Sequence, residues 1–191
     1  MNITKHILVL ALLINFLTIN VNNEKPYYLE NSNDDFKEFI KLFKDVKLPY
    51  SKSYREEDEG KYMKIPNNFL EKHFKTYVKD DFYFDGDVYA LGKFEIGKRY
   101  YGLVFGFGGY VDGYSTFLVI YTKDGKYKSH LMTGYYYEKS GNFNSQDTEI
   151  NKKYELSLIS KDSGSEDGNS EVVNQSETKY FIKDGVILKK K

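Results

Sequence analysis

Cysteine and tryptophan are absent from this chain of 191 residues, proline occurs three times, and the only arginines are Arg55 and Arg99. Without cysteine there can be no disulfide, no thiolate metal ligand and no lipid-modified cysteine at the N-terminus. With so few arginines among 28 basic residues, planar bidentate recognition of phosphate or carboxylate has little raw material. Basic and acidic residues balance to a formal charge of zero, so no general electrostatic pull draws the chain to nucleic acid or anionic lipid.

Catalytic and cofactor templates are also missing. The glycine-rich stretch Leu103–Tyr121 contains GFGGYV, with valine where a dinucleotide-binding loop has its third glycine, and it leads into the strand-like YSTFLVIY rather than a helix. No Gly-Lys-Ser, Gly-Lys-Thr or Gly-x-Ser-x-Gly occurs. The acidic run from Asp162 to Gly168 misses the third ligand position and the glycine register of a calcium-binding loop. Ser129 and His130 are neighbours on a strand and point to opposite faces, so they form no dyad. Outside the first twenty residues the histidines are His73 and His130, on different elements, and structural roles are expected for both. No cofactor, metal site or catalytic residue is assigned. A carboxylate pair assembled by the fold remains open, because spacing in sequence does not give spacing in space.

The first twenty residues combine Lys5 and His6 with the apolar run ILVLALLINFLTI. That run is shorter than the roughly 20 residues a spanning helix needs and suits the apolar centre of a secretory signal. A signal peptide is expected over residues 1–22, the alternatives being an uncleaved anchor or a buried helix. Without disulfides, the resulting expectation is a bacterial periplasmic or secreted protein.

From residue 23 onward one α+β domain is expected. NSNDDFKEFIKLFKDV spaces Phe36, Phe39, Ile40 and Phe43 as one helical stripe, with Ser32 or Asn33 as cap and Asp34 and Asp35 at the positive end. PNNFLEKHFKTYVK gives a second helix with Leu70, Phe74 and Tyr77 inward. The rest reads as β: extended runs joined by IGK, by Lys123-Asp124-Gly125 and by Asp184-Gly185, with no spacer long enough for parallel crossovers. The predicted fold is two N-terminal helices packed on a curved or partly closed antiparallel meander of about seven to eight strands. Residues 161–177 are predicted as a polar mobile loop.

In the glycine-rich stretch, Tyr101, Leu103, Phe105 and Phe107 alternate with Gly102, Val104 and Gly106. The first set is expected to build the main core, and the glycine face to receive a helix or a bulky aromatic. Tyrosine is abundant, at 19 residues. Tyr135, Tyr136 and Tyr137 are consecutive, so in an extended segment at least one must face away from the core. With Tyr110 and Tyr114 they form the candidate contact surface. The function expected is a non-catalytic binding or interaction domain with a protein, peptide or carbohydrate partner, and with no nucleic acid and, after signal cleavage, no membrane. The alternatives are a hydrolase with fold-assembled carboxylates or a structural envelope component.

Overall fold

A computed structural model describes residues 33–191 except 56, 57, 59, 79–85, 109–112, 140, 141 and 166–169. The expected signal peptide, the Ser32 cap and Tyr110 lie outside the described residues. Among those described, no helix is long and apolar enough to cross a membrane.

Helix α1 spans Asn33–Ile40 and buries Phe36 and Phe39. It stops well before Pro49, and the turn after it still delivers Phe43 to the core. The ammonium of Lys93 closes its C-terminal end by donating to the carbonyls of Phe43 (2.9 Å) and Ile40 (3.3 Å). An ending helix leaves its last carbonyls short of intrahelical partners, and that of Ile40 also accepts from the Phe43 amide at 3.3 Å. The second helix is composite: α2 (Asn67–Leu70) passes through a π-helical turn, Glu71–Lys75, into α3 (Thr76–Val78). His73 and Phe74, neighbours within the π-helical turn, are both fully buried.

The sheet is a single antiparallel meander in strict chain order, β1 (Met63–Lys64), β2 (Val88–Ile96), β3 (Tyr100–Gly108), β4 (Gly113–Thr122), β5 (Tyr127–Lys139), β6 (Asn142–Ile150), β7 (Glu155–Ser165), β8 (Ser170–Lys183) and β9 (Val186–Lys189). Two of its hairpins follow directly from turn chemistry. Gly125 has a φ of 91° at the β4–β5 turn, and Asp184 and Gly185 have φ of 51° and 78° at the β8–β9 turn, the left-handed pair that a tight hairpin requires.

Both faces of β2–β4 are buried. On one face Leu103, Phe105, Phe107, Phe117, Val119 and Tyr121 meet the aromatic side chains of the helices. On the other, Leu91, Phe94, Val104, Leu118 and Ile120 share a second core with Ile150, Leu156 and Leu158. The later strands therefore fold back over the face the helices leave uncovered. A strap of chain after α1 helps hold the halves together. It bridges Lys93 at Asp45 and Ile150 at Tyr50, and it donates from the Tyr54 amide to Thr116 Oγ1 at 2.8 Å.

The glycines of β3 serve this packing. A Cβ on Gly106 would lie 2.6 Å from Cγ and 2.7 Å from Cβ of Tyr54, and one on Gly102 would lie 2.5 Å from the Phe94 ring. The glycine face thus receives bulky aromatics, one from the strap and one from β2, while the aromatic face of the same strand builds the helix-covered core. The chain after Gly113 is strand, not helix.

Three expectations are corrected. The helices are mid-chain elements separated by β1, not an N-terminal pair, because the two-residue β1 occupies the edge beside β2 between them. The sheet has nine strands rather than seven or eight, and it does not close. Within 161–177, read as a loop, residues 161–165 belong to β7 and 170–177 to β8, paired with each other, while 166–169 lie outside the described residues. Polar residues can do this because ladder hydrogen bonds satisfy the backbone without requiring an apolar face. The same reason hid β6, whose sequence NFNSQDTEI carries little alternation.

Candidate functional site

The predicted tyrosines divide across the sheet. Tyr114 of β4 and Tyr136 of β5 are direct cross-strand partners, as are Ser115 and Tyr135, and Gly113 and Tyr137. Cross-strand partners share a face, and successive residues alternate. Tyr114 and Tyr136 therefore stand together on one face, and Tyr135 and Tyr137 on the other. The four described tyrosines do not share one face, and Tyr114 is half-buried against Tyr54, ring centroids 5.9 Å apart, and joins the second core. Tyr137 is the exposed member, at 38%.

Tyr136 sits in a small charged and aromatic cluster that the sequence did not reveal. Its ring stacks on Phe143 of β6 at 6.2 Å, and the Arg55 guanidinium lies 4.9 Å from its centroid on the other element that reaches it, the strap. Arg55 also contacts Asp147 Oδ1 at 3.1 Å, and the Ser53 hydroxyl donates to the same oxygen at 2.7 Å. The Tyr136 hydroxyl donates to Glu138 Oε2 at 2.6 Å. That hydrogen bond, followed by partial burial, raises the phenol pKa, so it stays a neutral donor. A cation held over an aromatic face is a contact device suited to polar, flat or aromatic groups. Arg55 could not be placed from sequence because its partners lie 81 to 92 positions away.

The same end of the sheet carries a long free edge among the described strands. β8 pairs on its outer side only from Tyr180 to Lys183 with β9, so among the described strands nothing pairs along 170–178. Val172 and Val173 are exposed there at 52% and 64%. The register runs continuously from Tyr137 through Asn144 and Asp162 to Asn174, so the exposed tyrosine and the open edge occupy one end of the sheet.

An open groove of about 300 Å³ lies on the β6–β9 portion, lined by Glu149, Glu155, Ser157, Glu177, Lys179 and Lys190 among others. Two of its acids are paired: Glu155 with Lys190 at 2.6 Å and with the Asn151 amide at 2.9 Å, and Glu177 with the Ser157 hydroxyl and with Lys179 at 3.2 Å. The Lys190 and Asn151 bonds hold Glu155 below the ordinary carboxyl range, and the Ser157 and Lys179 bonds do the same for Glu177. Both are kept ionised. His130 is held by the Tyr127 hydroxyl at 2.7 Å, away from this groove's lining.

Fold and site together define a class: a helix-covered open antiparallel meander with an aromatic and cationic cluster on β5 and β6 and an unpaired edge on β8. Comparison with protein-family models, curated proteins and solved structures finds no match to this chain.

Proposed function

We propose that this chain is an exported, non-catalytic interaction domain that binds a polypeptide partner at the end of the sheet formed by β5 to β8. The observation that carries the reading is the unpaired outer edge of β8 over 170–178 with Val172 and Val173 exposed on it. An open edge presents backbone donors and acceptors that an extended segment of another chain can complete, with exposed side chains supplying selectivity. Tyr137 and the Arg55–Tyr136 cluster lie at the same end and supply aromatic and cationic contacts.

The hydrolase alternative has less support. A pair of carboxyls doing acid–base work needs one held protonated by its surroundings, whereas the partners of Glu155 and Glu177 favour their ionised forms. Export rests on the apolar leader and is a separate part of the proposal.

The experiment is to fractionate cells expressing the tagged chain, read the mature N-terminus by mass spectrometry, and crosslink the periplasmic or released fraction. Wild type should begin near Asn20–Asn23 and crosslink to a discrete polypeptide. A Val172→Lys, Val173→Lys, Tyr137→Ser variant of unchanged melting temperature should lose that crosslink. Retention of the partner by the variant removes the β8 edge from the proposal. Recovery of the intact chain in the cytoplasm removes export.

A further inference from the structure

His73 is fully buried inside the helical layer, in the π-helical turn. Its ring stacks on Phe39 at 4.6 Å, meets the edge of Phe36 at 5.7 Å, and lies 6.1 Å from Phe69. Nε2 is 2.8 Å from Asp35 Oδ2 on α1, and the same carboxylate oxygen takes Lys72 Nζ at 2.8 Å. On the sheet side, the buried Tyr121 hydroxyl donates to the His73 carbonyl. The histidine thus ties α1, the second helix and β4 together at one point. The other ring nitrogen, Nδ1, is buried and has no hydrogen-bond partner among the described residues.

The neutral ring fits this cage in one arrangement: Nε2–H donates to Asp35, and Nδ1 carries a lone pair among aromatic rings. Protonation turns Nδ1 into a second N–H with no acceptor, in surroundings that also desolvate the new charge. Leaving such a donor buried costs free energy that leaving a lone pair there does not. The groups facing the ring do not reverse this. Asp35 on α1 favours the imidazolium but is shared with Lys72, whose own positive charge opposes it, and Tyr121 on β4 is held neutral by burial. A π-helical turn is rare and is frequently found at functional positions.

We infer that His73 is an acid-sensitive latch: the neutral ring holds the helical layer on the sheet, and its protonation releases α1 and the second helix from β3 and β4, uncovering the apolar face that carries Phe105, Phe107 and Phe117. This device is independent of what the β8 edge binds. Burial, the largest influence, lowers the His73 pKa below the ordinary 6.5 despite Asp35. A depressed histidine pKa contributes stability that is whole above the unfolded value and is lost as pH falls through the folded one. The opening constant of the helical layer should then rise by about tenfold per pH unit between those two values.

Hydrogen exchange tests this. Between about pH 7.5 and about pH 5, bracketing the ordinary imidazole value, protection in peptides covering 34–43 and 67–78, corrected for intrinsic rates, should fall by at least about tenfold. Peptides from β7 should change by less than about twofold. His73→Gln keeps an amide donor for Asp35 and cannot titrate, so its helical peptides should be insensitive to pH. Flat wild-type protection, or an equal loss in His73→Gln, overturns the latch. If His73→Gln does not fold, the wild-type ring is titrated by NMR. Its midpoint must lie below 6.5 and mark the pH at which the loss of protection levels off, and a mismatch overturns the proposal as well.

Discussion

Replacing Gly106 by valine isolates a single packing contact. Gly106 is not among the glycines with positive φ, so its backbone suits any residue, and a β-branched side chain in a strand is by itself favourable. Intrinsic propensity and a less flexible unfolded chain together predict stabilisation of up to about 1–2 kcal/mol. The tertiary contacts predict the opposite sign. The new Cβ alone would sit 2.6 Å from Cγ and 2.7 Å from Cβ of Tyr54, and 2.9 Å from Cδ1 of Leu91. Tyr54 cannot swing away, since its amide is bonded to Thr116 and its ring is stacked on Tyr89 at 5.3 Å. Overpacking of this kind costs about 1–3 kcal/mol or more, and valine adds two methyls to the clash. At about 2–4 °C per kcal/mol for a domain of this size, the melting temperature should drop by roughly 2–12 °C. The assay is thermal and urea unfolding of Gly106→Val in the wild-type and Tyr54→Ala backgrounds. In the second background the valine should cost less by about 0.5–3 kcal/mol, the range for residues in contact. An unchanged or raised melting temperature, or an equal cost in both backgrounds, would refute the packing account of the β3 glycines.

Two further outcomes follow from the polar contacts. Lys93→Met removes the donor to the Phe43 and Ile40 carbonyls at the end of α1 and should lower stability by about 1–3 kcal/mol at unchanged m; a loss below about 0.5 kcal/mol would show that water replaces the ammonium. Asp58, with its side chain 3% exposed, meets Lys52 at 2.7 Å, Lys61 at 3.6 Å and the Arg55 amide at 3.1 Å. Burial pushes its pKa up, but those partners outweigh burial and leave it below 3.8. A depressed carboxyl pKa gives stability that is present above the unfolded value and lost as pH falls through the folded one. Asp58→Asn should therefore cost about 1–3 kcal/mol near neutrality and distinctly less near pH 3, measured by urea unfolding at both; an equal cost at the two pH values contradicts the ion-pair role.

Local chemistry and periodicity determined much of this protein. The turns at Gly125 and Asp184-Gly185, the stripe of Phe36, Phe39 and Phe43, and the two-faced burial of β3 and β4 are legible because each depends on φ preference or on alternation within a few residues. The glycine-rich stretch reads correctly as strand for the same reason, since a phosphate loop must run into a helix and YSTFLVIY cannot. Only the tertiary structure decided what those glycines accommodate, because Tyr54 is about fifty positions from Gly106 and belongs to a strap with no regular pattern of its own. It also decided that β6 and the polar halves of β7 and β8, residues 161–165 and 170–177, are strands, since ladder hydrogen bonds between backbones leave little trace in side-chain hydropathy. The division of the tyrosines and the assembly of Arg55, Tyr136, Phe143 and Asp147 follow from register across β4, β5 and β6. Register is a property of paired strands, and one strand's residues do not encode which neighbour's residues will stand beside them.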